Sequence, residues 1–107
     1  MTNSPVHVLC LYRVKPGQEP AFLELLRRHW PALKRSNLAT DDPARVEQAK
    51  DRKGGTVFVE HFAWRSPESP GLAHQSPEVM AVWEPMGALC DGMEFLHVEP
   101  VTIDFVG

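Results

Sequence analysis

The stretch that decides the fold lies at residues 56–65 and reads TVFVEHFAWR. It contains neither Gly nor Pro and is rich in β-branched and aromatic residues, which predicts a strand. Successive side chains of a strand point to opposite faces, so two rows form. One row is Phe58, Glu60, Phe62 and Trp64, and the other is Val57, Val59, His61 and Ala63. Both rows are mostly apolar, which favours a strand that is covered on both sides.

Residues 6–14, VHVLCLYRV, predict a second and central strand on the same grounds. The turn residues at 15–17 end it, and a helix is predicted over residues 18–36. This helix carries one apolar stripe at helical spacing, formed by Phe22, Leu25, Leu26, His29 and Leu33. Pro31 lies inside the pattern and predicts a kink just before it.

The remaining elements are less regular. Residues 44–50 predict a short polar strand at a sheet edge, and residues 51–55 a hairpin connection. Two Ser-Pro-Glu starts, at 66–68 and 76–78, predict a broken second helix over about 67–75 and 77–90. Gly92 suits a turn, residues 93–101 predict the last strand, and the apolar tail at 102–107 is expected to pack on something.

The order strand, helix, strand, strand, helix, strand predicts an α+β fold of the ferredoxin-like β-α-β-β-α-β kind. We expect one domain over residues 1–107, with an antiparallel sheet and both helices on one face. The other sheet face is also apolar, and the chain offers no third layer to cover it. A second copy is the simplest cover, so a homodimer is predicted.

Composition and charge exclude several kinds of partner. The net charge is −3 without a basic run, which disfavours nucleic acid. No apolar run is long enough to span a bilayer, and residues 1–5 lack the plan of a signal peptide. Cys10 and Cys90 are widely spaced, so we expect free thiols in a reducing compartment and a cytoplasmic protein.

At this point the sequence resembles the dimeric α+β barrel superfamily, and it is most similar to its antibiotic biosynthesis monooxygenase-like domains. The resemblance rests on the strand–Lys-Pro-Gly–helix opening, on residues 58–68, and on residues 74–79, HQSPEV. Members of this superfamily often have a second His where this chain has Glu78. The resemblance implies a dimeric α+β barrel and an oxidoreductase, a cofactor-independent monooxygenase acting on a small aromatic or quinol-type molecule.

Glu60 and His74 are the predicted catalytic pair. Glu60 shares its strand face with aromatic residues, where a carboxylate needs a partner. His74 could be that partner, as the resemblance implies, and the two would form a general acid–base couple. The alternative is that they only tie a helix to the sheet.

Tyr12, Trp64, Trp83 and His97 are the predicted substrate-binding residues, because they could line a pocket for a flat aromatic ligand. The alternative is ordinary aromatic core. No metal is predicted, because the histidines lack ligand spacing. No cofactor is predicted either, since no glycine-rich phosphate loop follows a strand. The competing hypothesis to an enzyme is a non-catalytic homodimer of the same fold that binds a small ligand or serves in a stress response.

Overall fold

A computed structural model describes residues 4–107 of the chain. Residues 1–3, which belong to the stretch considered for a signal peptide, lie outside the described residues. The elements are β1 Val6–Val14, α1 Glu19–Arg35, β2 Arg45–Lys50, β3 Thr56–Trp64, α2 Ser69–Ala73, α3 Pro77–Ala88 and β4 Cys90–His97. The predicted β-α-β-β-α-β order is confirmed, with the second helix broken in two.

The four strands form an antiparallel sheet in the order β2-β3-β1-β4. The predicted central position of β1 and the edge position of β2 are therefore confirmed. In the β1–β3 register Cys10 lies opposite Glu60, and Tyr12 lies opposite Phe58. This register sets Tyr12 diagonal to Glu60, within reach of a long side chain.

The helices cover one face of the sheet. The alternate residues of β1 on this face, Val8, Cys10, Tyr12 and Val14, are buried, as are Phe58, Glu60, Phe62 and Trp64 of β3. From α1 the buried residues are Phe22, Leu26, His29, Ala32 and Leu33, which matches most of the predicted stripe. The core lies between this helix face and the sheet.

A serine caps the start of α3, as the Ser-Pro-Glu pattern predicts, but no serine caps the start of α2. Ser76 caps α3, because its hydroxyl oxygen accepts from the backbone N–H of Val79 at 3.3 Å. The predicted cap at Ser66 is wrong. The carbonyl of Ser66 instead closes a turn with the N–H of Ser69 at 3.1 Å, and α2 begins only at Ser69.

The last strand begins three residues earlier than predicted. Gly92 is not in a turn but in β4, opposite Arg13. The helix ends at Ala88, and the N–H of Lys15 already bonds to the carbonyl of Leu89 at 2.9 Å. The chain therefore enters the ladder directly, and an irregularity in the register between residues 13 and 14 absorbs the extra residue.

The described chain covers the second sheet face only in part, since Val57 and Ala63 are buried there but other apolar residues are not. Leu9, Leu11 and Val59 on that face are only half-buried, and Leu96 is exposed. Residues 98–107 have no regular structure, and Phe105 and Val106 are 83% and 100% exposed. The tail therefore does not pack within its own chain, and its packing on another surface stays a prediction.

Candidate functional site

Glu60 is the centre of a buried polar network. The carboxylate has 0% exposure and sits on the helix face of β3. Its Oε1 accepts a hydrogen bond from the Tyr12 hydroxyl at 2.7 Å. Both of its oxygens lie 3.0 Å from Nδ1 of His29, which is itself 2% exposed. A buried carboxylate is tolerated when donors satisfy it in this way.

The tautomer of His29 follows from its second partner. The indole Nε1–H of Trp83 lies 2.8 Å from Nε2 of His29. An indole N–H can only donate, so Nε2 must carry a lone pair. The proton of the neutral ring is then on Nδ1, where it donates to Glu60. The network therefore runs Trp83 to His29 to Glu60, with Tyr12 as the second donor to the carboxylate.

The predicted Glu60–His74 pair does not form. Within the described residues Glu60 bonds to Tyr12 and His29, and His74 makes no hydrogen bond to it. The physical reason is that α1 passes over this part of β3 and fills the space above Glu60 with His29. His74 lies at the end of α2, exposed to solvent, with its ring 4.9 Å from that of Trp83.

A cavity of about 360 Å³ opens beside this network. Its wall contains all four predicted substrate-binding residues, Tyr12, Trp64, Trp83 and His97, together with His74 and His29. Cys10, Phe62, Met80, Met86, Met93 and Phe95 add apolar surface. The described lining residues do not include Glu60, which lies behind Tyr12 and His29. The volume is at the lower end of small-molecule pockets, roughly 300–1,000 Å³, so a compact apolar ligand fits.

The site lacks an activated thiol in this state. Cys10 lies in the cavity wall, and burial, followed by the nearby charge of Glu60, raises the pKa of its thiol to about 12. Only a small fraction of such a thiol is thiolate near neutral pH, so it is a poor nucleophile. Cys90 is also a free thiol, and burial raises its pKa to about 11.

Within residues 4–107, no three His, Cys, Asp or Glu side chains come together in a way that could hold a metal ion. Over the same residues, no helix combines the length and apolarity needed to cross a bilayer. The cavity wall contains hydroxyl, thiol, imidazole and indole groups, together with the carboxylate of Glu84.

The fold can now be compared with known proteins. No family model and no curated protein matches the chain. Solved structures do. A candidate antibiotic biosynthesis monooxygenase from Bordetella bronchiseptica matches with a TM-score of 0.69 at 14% identity, over 92% of this chain and 98% of that one. A second such protein, from Nitrosomonas europaea, gives 0.67 at 13% identity over 94% of each chain.

The chain shares the fold of these solved structures. A Mycobacterium tuberculosis protein is also similar, with a TM-score of 0.60 at 20% identity over 94% of this chain and 98% of that chain. Identities this low establish the fold and carry no activity across.

His29 is the member of the site that the sequence interpretation missed. It was assigned a structural place because it lies on the apolar stripe of α1. A signal was present, since a His on the stripe faces the same interior as the carboxylate of Glu60, and a buried carboxylate requires a donor. The helix α1 over the sheet thus supplies the partner that we expected from α2.

Tyr12 gives a direct test of the network. Burial, followed by the charge of Glu60, holds the pKa of the Tyr12 hydroxyl well above its ordinary value. The folded state therefore favours the protonated form, and the stability that this confers is complete below pH ~10 and declines as the unfolded tyrosine ionises above it. Tyr12 is the only tyrosine in the chain, so tyrosinate absorbance reports this group alone.

We expect little tyrosinate absorbance at pH ~10, where a free tyrosine is half ionised. The signal should appear only at higher pH, together with loss of the folded far-UV circular dichroism. The same titration in urea serves as the control and should follow an ordinary tyrosine. Half ionisation near pH 10 in the folded protein would contradict the buried hydrogen bond to Glu60.

Proposed function

We propose that the chain is a homodimeric, cofactor-independent monooxygenase-like enzyme that acts on a small phenol or quinol. The observation that carries this proposal is a compact apolar cavity whose wall includes His29 and Tyr12. Both residues are hydrogen-bonded to the buried carboxylate of Glu60 behind them. Titratable groups beside an apolar pocket are the usual arrangement of an acid–base site. The names of the structural relatives are consistent with this class of reaction.

The reaction needs no electron donor other than the substrate. A phenol and one O₂ give the quinone and one water, so one oxygen atom enters the ring and the other leaves as water. The protein must bind the ring, exclude bulk water and remove the phenolic proton. Trp64, Trp83 and Tyr12 supply aromatic walls, and His97 lies at the exposed rim.

Glu60 and His74 have different roles in the proposed proton transfer. Glu60 is a positioning residue that acts through His29 and Tyr12, because it does not itself line the cavity. His74 lines the cavity at its exposed side, where it can exchange protons with water. We therefore assign His74 the transfer between the site and solvent.

The homodimer is part of the proposal. Four strands of six to nine residues, spaced by ~4.8 Å, present an open face of roughly 500 Å². A stable interface buries about 800 Å² on each partner, so the open face and the exposed apolar tail together approach the required area. Val101, Ile103, Phe105 and Val106 of the tail are all exposed and apolar.

The experiment is oxygen consumption with a panel of phenols and quinols, without added flavin, metal or nicotinamide. We expect turnover of at least one compact member of the panel. His74→Ala should lower kcat by about a hundredfold, because the proton taken up in the site then lacks its carrier to solvent. Its free energy of unfolding should change by less than about 0.5 kcal/mol, because His74 is exposed.

Gln75→Ala is the matched control, since Gln75 is the exposed neighbour outside the cavity wall. It should retain activity. A panel that shows neither turnover nor binding would contradict the proposal.

A non-catalytic binding protein is the second candidate, and one observation favours it. Each hydrogen-bonding group described in the network already has a partner, because Nε2 of His29 accepts from Trp83 and Glu60 accepts from Tyr12 and His29. Such a closed network can simply rigidify a pocket. This candidate predicts saturable quenching of tryptophan fluorescence without a product.

A further inference from the structure

Nε2 of His29 carries a lone pair, and His29 is the imidazole of the buried network that lines the cavity. His29 lines the cavity, and its Nδ1–H is fixed on Glu60 at 3.0 Å. Among residues 4–107 the group that lies on Nε2 is the Trp83 indole N–H, at 2.8 Å. The direction of the lone pair is therefore fixed by Glu60, and the lone pair already accepts a hydrogen bond from Trp83 of the cavity wall.

We propose that His29 is the proton acceptor of this site and that its Nε2 takes the proton of a phenolic hydroxyl. The Trp83 indole N–H covers Nε2 until the ligand displaces it. This inference rests on the proposed function and adds the group that takes the proton. Trp83 is half-buried, whereas His29 and Glu60 are buried. The displacement requires the indole of Trp83 to move, while the buried His29–Glu60 pair stays in place.

The proton step is balanced within the site. The ligand O–H bond breaks, an N–H bond forms at Nε2, and the electron pair stays on the ligand oxygen as a phenolate. His29 becomes an imidazolium whose Nδ1–H already faces a carboxylate. An ordered carboxylate behind an imidazole stabilises the imidazolium and holds the ring in place. The phenolate is the electron-rich form that a reaction with O₂ requires.

His74 does not fit this role as well. It is exposed, its ring packs edge-on against Trp83 at 4.9 Å, and within the described residues it makes no hydrogen bond to a carboxylate. Nothing therefore fixes its tautomer or strengthens it as a base. Its position suits the later exchange of the proton with water, whereas His29 is sealed from solvent.

The test uses 4-nitrophenol, whose phenolate is coloured, and 4-nitroanisole, which has the same ring and no hydroxyl. Binding is measured at the pH where free nitrophenol is half ionised. We expect wild type to bind nitrophenol with a larger ionised fraction than in solution. His29→Gln keeps a hydrogen-bonding amide but cannot take a proton, so the excess ionisation should vanish while nitroanisole still binds.

Trp83→Phe should act in the opposite direction. It uncovers Nε2, so the ligand hydroxyl no longer competes with the indole, and nitrophenol should bind about two- to tenfold more tightly relative to nitroanisole. Trp64→Phe is the matched change at the same wall without a hydrogen bond to His29, and it should alter the binding of both compounds alike.

The outcomes separate this inference from the proposed function. If both compounds bind but the ionised fraction is the same in His29→Gln as in wild type, the inference is overturned while the aromatic site stands. If neither compound binds, both proposals are overturned. Should His29→Gln fail to fold, Trp83→Phe decides alone, because equal affinity ratios in this variant and in wild type would refute a covered Nε2.

Discussion

Glu60→Ala is expected to lower the free energy of unfolding by about 3–5 kcal/mol. The substitution removes the acceptor of the Tyr12 hydroxyl and of the His29 Nδ1–H, both of which are buried. Each donor left without a partner costs about 1–3 kcal/mol, and the space left by the side chain adds to this. A small domain is stable by only about 5–15 kcal/mol, so this loss is a large part of the total.

Glu60→Gln separates charge from volume. The amide keeps the shape, but its NH₂ group must point at the Tyr12 hydroxyl or at the His29 Nδ1–H. If His29 then changes tautomer to accept from the amide, its new Nε2–H meets the indole N–H of Trp83. At least one donor of the network is therefore left without an acceptor, and we expect a loss of about 1–3 kcal/mol.

Urea unfolding at neutral pH, followed by far-UV circular dichroism, measures both variants. Glu24→Ala is the matched control, because Glu24 is exposed on α1, away from the open sheet face, and its carboxylate lies 2.9 Å from the Arg27 guanidinium. Its effect should stay within about 0.5 kcal/mol. A Glu60→Ala protein as stable as this control would show that the carboxylate is neither buried nor paired in solution.

The sheet could be predicted from the sequence because a strand pattern is local. In 56–64 and 6–14 the alternation of side chains fixes the faces, and no Gly or Pro interrupts it. The neighbouring positions of the first and last strands then follow from the order of elements. The start of β4 did not follow, because Cys90-Asp91-Gly92 has turn chemistry locally and is paired only through its contact with β1.

The wall of the cavity was predicted better than its polar centre. Tyr12, Trp64, Trp83 and His97 were expected near one pocket because sheet register alone places three of them on one face. The partner of Glu60 depends instead on how α1 lies across the sheet. Helical periodicity gives the face of a helix and not its height above a strand, so His29 could not be chosen over His74 from spacing alone.

Leu9→Asp is expected to convert the proposed dimer into a monomer. Leu9 lies on the open face at the centre of the sheet, opposite His61 of β3 and Leu96 of β4. In a two-fold interface every substitution occurs twice, so two carboxylates would be buried without partners. Burying an unpaired charge costs several kcal/mol, and the dissociation constant should rise by about a thousandfold or more.

Sedimentation velocity over a range of concentrations measures this change, with far-UV circular dichroism as the check that the monomer is folded. Leu23→Asp is the matched control, since Leu23 is exposed on α1 and away from the open sheet face. It should leave the dimer intact.

The side chain of Leu9 lies on the face opposite the cavity, because its neighbours Val8 and Cys10 line the cavity. A folded Leu9→Asp monomer that still binds nitrophenol would therefore show that the cavity belongs to one chain, whereas loss of binding together with the dimer would show that the partner completes it. A wild-type chain that stays monomeric at high concentration would remove the dimer from the proposed function and leave the open face without the cover that its apolar side chains require.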